Sequence, residues 1–97
     1  MRGLTTDMKR GDLRPYFLWD EDVTADELRA ALAAGGEVAD RLLGKMLREA
    51  RDLDVWVFVT PAEVAAALPL LQRRIGRRYA FWRFLIDGWR SDGLLAS

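Results

Sequence analysis

The chain has 97 residues, a length typical of one domain, and it contains neither cysteine nor histidine. This composition excludes disulfides, thiolate and imidazole metal ligands, cysteine nucleophiles and histidine general bases. Acidic and basic residues number 15 each, so the formal net charge is zero and provides no overall attraction to nucleic acid.

Residues 1–13 show mixed charge and no hydrophobic periodicity, and we predict that they form a flexible N-terminal tail. They lack the apolar core of about 7–15 residues that a signal peptide requires. No stretch approaches the roughly 20 apolar residues of a membrane span. We therefore expect a cytoplasmic protein with no membrane partner.

A short aromatic run, Tyr16-Phe17-Leu18-Trp19, follows Pro15 and is too short for a helix. Because proline fixes φ and lacks a backbone donor, we expect the run to be extended and to pack across the helices that follow. Trp19, and later Trp56, are predicted to be core residues.

Three acids come next, Asp20, Glu21 and Asp22. Carboxylates can bind Mg²⁺ or Ca²⁺, but the alternating acids, central glycine and distal glutamate of a calcium loop are absent. We expect these acids instead to complement the positive end of the first helix dipole.

Two capping boxes mark helix starts. Thr24-Ala25-Asp26-Glu27 opens a first helix that ends at Gly35-Gly36, and Thr60-Pro61-Ala62-Glu63 opens a third helix over about 61–68. A second helix, over about 37–52, has a broad apolar face and should lie at the centre of the core.

The sequence does not decide the secondary structure of two segments. Val55-Trp56-Val57-Phe58-Val59 has the composition of a strand but lies between helices, so a strand and a short helical turn are both alternatives. Residues 70–75 form either a linker or a further turn of helix.

A last helix is predicted over about 77–89. Its core face is formed by Tyr79, Trp82, Ile86 and Trp89, extended by Phe81 and Leu85. Phe84 lies about 200° from Trp82 round a helix of 3.6 residues per turn, so it cannot face the same core. The helical domain should span 14–90, and 91–97 should form a frayed C-terminal tail. The predicted fold is an all-α single small domain of four or five short helices with an N-terminal extended aromatic segment.

No catalytic set assembles, so we expect no enzyme activity, no cofactor and no metal. Aromatic residues and arginine are enriched at protein interfaces, which makes Arg77, Arg83, Phe84 and Arg90 the predicted partner-binding residues. Self-association through this surface is one alternative. A nucleic-acid-binding module that uses the arginines between Arg73 and Arg90 is the other.

Several segments also carry a resemblance to a known family. They are Arg14 to Thr24, then Glu27-Leu28, Gly35-Gly36, Glu49-Ala50-Arg51, Asp54-Val55-Trp56, the Thr60 capping box and Leu68-Pro69. From about Arg14 to Trp89 the chain resembles small bacterial proteins encoded beside nucleotidyltransferases of the abortive-infection toxin type. This resemblance implies an antitoxin-like partner of such an enzyme. The long segment before Arg14, and Gly76 and Gly88 near the last helix, depart from the family pattern.

Overall fold

The computed structural model describes residues 1–95, and helices dominate them. Five helices have seven residues or more, and one further helix is a single turn. They are α1 Ala25–Ala34, α2 Gly36–Glu49, α3 Asp52–Phe58, α4 Pro61–Ala67, the single turn α5 Gln72–Ile75, and α6 Tyr79–Ser91. Short 3-10 turns lie at Tyr16–Leu18, Leu68–Leu70 and Gly76–Arg78. The prediction of a small all-α domain is confirmed.

Residues 1–13 pack against the helices, whereas the sequence predicted a flexible tail. The two-residue strand β1, Leu4–Thr5, pairs in parallel with β2, Arg14–Pro15. Between them, Met8 is only 4% exposed and belongs to the hydrophobic core. This segment therefore contributes to the domain, through pairings that local composition does not reveal.

Two arginines fasten the N-terminal segment to the rest of the chain. Arg2 forms ion pairs with Asp22 at 3.1 Å and with Glu27 at 2.7 Å. The buried guanidinium of Arg14 donates only to backbone carbonyls, those of Arg2, Leu18, Trp19 and Glu21. A buried charge needs such partners, so Arg14 fixes the path of the turn that follows it.

The prediction that the aromatic run is extended is wrong, because the extended backbone ends at Pro15 and Tyr16–Leu18 form a 3-10 turn. In this turn Phe17 and Leu18 point into the core, at 1% and 0% exposure. The prediction that Trp19 is a core residue is wrong, because it follows the turn and is 62% exposed. A turn of about three residues can direct only part of a four-residue run inward.

Both predicted capping boxes are confirmed. At the start of α1, the Thr24 hydroxyl accepts from the Glu27 amide at 3.2 Å, and the Glu27 carboxylate accepts from the Thr24 amide at 2.9 Å. The same reciprocal pair, Thr60 and Glu63, opens α4. Gly35, with φ of 72°, ends α1 in a conformation that favours glycine.

Helix α2 lies at the centre of the core, as its broad apolar face predicts. It contacts α1, α3, α5 and the first 3-10 turn. At Gly44 a Cβ atom would lie 2.9 Å from the Cβ of Arg74, so the absence of a side chain permits the close approach of α5. The helix ends at Glu49, three residues before the predicted end.

Residues 55–59 lie in and directly after α3, which decides between the helix and strand alternatives. The side chain of the N-cap residue Arg51 makes no capping hydrogen bond to this helix. The Tyr16 hydroxyl binds the start of the helix instead. It accepts a hydrogen bond from the Arg51 amide at 2.8 Å and donates one to the Asp54 carboxylate at 2.6 Å. Burial, and then this hydrogen bond to Asp54, raise the pKa of Tyr16.

The second half of the chain wraps back onto α2. Residues 70–75 contain the helical turn α5, one of the two predicted alternatives. Beyond α6, the amides of Leu94 and Leu95 donate to the Trp89 carbonyl at 2.8 and 3.3 Å, so residues 92–95 turn back on the helix end. The predicted frayed tail of residues 91–97 includes 96 and 97, which lie outside the described residues.

Within residues 1–95, no single helix has the length and apolarity needed to cross a membrane. One bent pair, Asp52–Phe58 with Pro61–Leu70, reaches that length and composition jointly, with a bend of 96° between its members.

Candidate functional site

The inner face of α6 is fixed firmly to α2. Trp82 is fully buried, and its indole Nε1 donates to the Leu47 carbonyl at 2.8 Å. Arg78, just before α6, donates to the Ala50 carbonyl at 3.0 Å. Carbonyls at a helix C-terminus lack partners within their own helix. Trp82 of α6 and Arg78 just before it therefore supply donors to two carbonyls at the end of α2. The orientation of α6 is thereby set.

The predicted core face of α6 is confirmed in part. Trp82 and Ile86 are buried, and Tyr79, Leu85 and Trp89 are partly buried against the core. Trp56, predicted as core, is also partly buried, with its ring 5.6 Å from that of Trp82. Phe81 was predicted on this face but is 40% exposed. It lies about 100° from Trp82 round the helix, which places it on the flank.

The opposite face of α6 is exposed and apolar. Phe84 is 79% exposed, and we define the outer face as this residue together with Ala80, Phe81 and Gly88, all exposed. Phe84 and Phe81 are three residues apart and so lie close together on the helix surface. A contiguous exposed aromatic pair is the kind of apolar patch that marks an interaction surface.

The predicted arginines border the outer face but differ in their contacts. Arg83 forms a hydrogen bond to the Tyr79 hydroxyl at 3.2 Å and an ion pair with Asp87 at 3.4 Å. Arg90 reaches the same carboxylate at 3.8 Å. Arg77, in the turn before α6, is exposed and has no ion pair within the described part of the chain. All four predicted partner-binding residues are therefore exposed, and the positive charge of Arg83 and Arg90 is partly balanced by Asp87.

Comparison of the chain with protein-family models, with curated proteins and with solved structures found no match. What the protein does must therefore be inferred from its own surfaces.

A second surface feature, which the sequence did not predict, is an apolar groove between α1, α2 and α4. Its volume is about 340 Å³, and its lining consists of Leu32, Gly35, Ala39, Asp40, Leu43, Val59, Glu63, Ala66 and Ala67. Glycine and three alanines account for its depth, because small side chains leave space between the helices. The sequence does show small residues in neighbouring helices. They indicate a groove only once the packing of those helices is known.

The acids after the aromatic run have a structural role that differs from the prediction. Asp20 and Glu21 both pair with Lys45 of α2, and Glu21 also pairs with Arg41 at 2.8 Å. The hydrogen bond from Lys45 lowers the pKa of Asp20. Burial alone would raise the pKa of Glu21, but Lys45 and Arg41 lower it overall. These carboxylates attach the aromatic run to α2 and do not serve as caps of α1.

Proposed function

We propose that the chain is a non-enzymatic protein-binding module whose partner contacts the outer face of α6. The observation that carries this proposal is the 79% exposure of Phe84 on a helix whose inner face is already filled. An exposed phenylalanine gives up the free energy of burial, roughly 1.5–3 kcal/mol, unless another molecule covers it. The helix is also attached to the core through the buried Trp82, so its outer face is already formed before a partner binds.

The composition of this region supports a protein partner. Aromatic residues and arginine are the side chains enriched at interface hot spots. Arg77, Arg83 and Arg90 are exposed in α6 or just before it, and their guanidinium groups can donate to carboxylates or carbonyls of a partner. The intramolecular pairs to Asp87 are exposed and therefore weak, so they can be exchanged for partner contacts at small cost.

The partner in this proposal is a nucleotidyltransferase of the abortive-infection toxin type, which the chain neutralises as an antitoxin in the bacterial cytoplasm. The support is the resemblance carried by Arg14 to Thr24, by the Thr60 capping box and by the segments between them. The aromatic run and the caps are structural elements of the domain, and they hold α6 in place rather than contacting the partner.

The test is co-expression with a nucleotidyltransferase of the abortive-infection toxin type from the host genome. We expect the wild-type chain to restore growth and to bind the purified enzyme in calorimetry. Phe84→Ala should weaken binding more than about fivefold, a loss of about 1 kcal/mol, while the free energy of unfolding changes by less than about 0.5 kcal/mol.

The matched control is Leu70→Ala. Leu70 is 80% exposed, like Phe84, but lies in a different turn of the chain. It should leave both binding and growth unchanged. Binding that is insensitive to Phe84→Ala, or equally reduced by Leu70→Ala, would contradict the proposed surface.

A nucleic-acid partner is the alternative function, favoured by the exposed Arg73 and Arg77 and by the guanidinium of Arg78, which lies 4.9 Å from the centroid of the exposed Phe81 ring. Against it, the formal net charge is zero and Arg83 and Arg90 share the carboxylate of Asp87. We expect no binding of single-stranded or duplex oligonucleotides at physiological salt. A sub-micromolar dissociation constant at about 0.15 M salt, measured by fluorescence anisotropy, would favour this alternative.

A further inference from the structure

The groove between α1, α2 and α4 has the chemistry of a receptor for one apolar side chain. Most of its lining is aliphatic, including Leu32, Ala39, Leu43, Val59 and Ala67. Its volume of about 340 Å³ is at the small end of the range for ligand pockets and is ample for one aromatic ring.

The groove is also acidic. Asp40 and Glu63 lie in its lining, and no basic residue does. Asp40 has no ion pair within residues 1–95. Glu63 uses only its Oε1 atom in the capping box of α4, which leaves its second carboxylate oxygen available. An apolar cavity with carboxylates beside it favours an apolar side chain that is flanked by cations.

The same chain presents such a side chain. Phe84 projects from α6, the exposed Arg83 and Arg90 lie along one flank of the same helix, and the exposed Arg77 lies in the turn before it. No residue of α6 lines the groove. We infer that the groove of one copy receives Phe84 of a second copy, with the arginines beside the carboxylates of Asp40 and Glu63. This inference rests on the proposed function, because it uses the outer face of α6 as a contact surface.

A contact between two different patches is heterologous, and it forms a closed ring or an open chain according to the rotation between copies. In both cases copies associate head to tail, and the mean mass rises with concentration. An interface centred on one side chain buries less than about 1,200 Å² and belongs to the weak, transient class. Since a bound protein partner would occupy the outer face, binding of that partner and self-association compete for Phe84.

The experiment is sedimentation velocity of the purified chain up to about 1 mM, a range that covers weak contacts. We expect the mean mass of the wild type to rise with concentration. Phe84→Ala removes the inserting side chain, and Ala66→Arg fills the groove with a bulky cation. Each variant alone should raise the dissociation constant at least tenfold. Ala62→Arg is the matched control, because Ala62 is an exposed residue of α4 outside the groove, and it should behave as the wild type.

The decisive sample is an equimolar mixture of Phe84→Ala and Ala66→Arg. The first keeps an intact groove and the second an intact Phe84, so together they should form a dimer that cannot grow further. A wild type that stays monomeric, or a mixture that stays monomeric, would overturn the inference. So would association that is lost in Phe84→Ala but unchanged in Ala66→Arg, which would indicate pairing between two α6 helices.

The two proposals fail separately. Ala66→Arg should bind the nucleotidyltransferase with wild-type affinity, because the groove is not the partner surface. A monomeric wild type that binds the enzyme through Phe84 would refute only the head-to-tail contact. Self-association without any binding to the enzyme would refute only the proposed function.

Discussion

Replacing Trp82 by phenylalanine tests how α6 is attached to α2. Trp82 is fully buried, its Nε1 donates to the Leu47 carbonyl at 2.8 Å, and its ring contacts that of Trp56 at 5.6 Å. Phenylalanine keeps an aromatic ring in the same place but removes the donor and part of the buried surface. The loss should therefore be large while the fold is retained.

The expected magnitude has two parts. A buried carbonyl left without its donor costs about 1–3 kcal/mol. Two buried carbon positions are also lost, at about 0.8 kcal/mol each. The sum is about 3–5 kcal/mol, a large share of the roughly 5–15 kcal/mol that stabilises a domain. The outer face is not involved, so Phe84 should remain exposed.

Urea unfolding followed by far-UV circular dichroism is the suitable assay, since it does not depend on the fluorescence of the residue removed. Trp19→Phe is the matched control. Trp19 is 62% exposed, and the Nζ atom of Lys45 lies 6.0 Å from its ring centroid. Its loss should cost less than about 1 kcal/mol.

Equal effects of Trp82→Phe and Trp19→Phe would refute this reasoning, because they would remove the distinction between a buried and an exposed indole. A change below about 0.5 kcal/mol at Trp82, with an unchanged dependence on urea, would refute the role of the hydrogen bond to Leu47.

Two further predictions concern the segment before α1. Tyr16→Phe should lower the free energy of unfolding by about 1–2 kcal/mol in urea titrations, because the hydroxyl that serves Arg51 and Asp54 is lost; an unchanged midpoint would contradict this. The folded-state pKa values of Asp20 and Glu21 are lowered, so their stabilisation is present above the unfolded-state values near pH 4 and is lost as the pH falls through the folded-state ones. The double variant Asp20→Asn, Glu21→Gln should therefore lose less stability on acidification than the wild type, and equal losses in both proteins would argue against it.

The helix starts were predictable because each capping box is local. The hydroxyl of Thr24 and the carboxylate of Glu27 are three residues apart, and the same holds for Thr60 and Glu63. Nothing outside four consecutive residues is needed for these hydrogen bonds, so the sequence alone predicts them.

Features that depend on distant segments were not predictable. Trp19 is exposed because the 3-10 turn before it is held by the Arg14 guanidinium and by pairing with Leu4–Thr5. Residues 55–58 are helical although their composition favours a strand, and the cap of that helix comes from Tyr16, 35 residues before Arg51. Tertiary contacts override local preference in both places.

One part of the candidate site was predictable from the sequence and the other part was not. The exposure of Phe84 follows from helical periodicity and from the filled core face of α6, both readable from the sequence. The groove depends on how α1, α2 and α4 pack, so Asp40 and Ala66 gave no sign of lining a common cavity.

The dependence of α2 on donors from α6 affects the order of events during protein synthesis. The Leu47 and Ala50 carbonyls receive their donors from Trp82 and Arg78, which the ribosome adds about thirty residues later. Until those residues emerge, the end of α2 and its apolar face remain open to water or to a chaperone. The nascent chain therefore completes its core only when α6 arrives, and the helix that carries the exposed Phe84 is also the element that closes the domain.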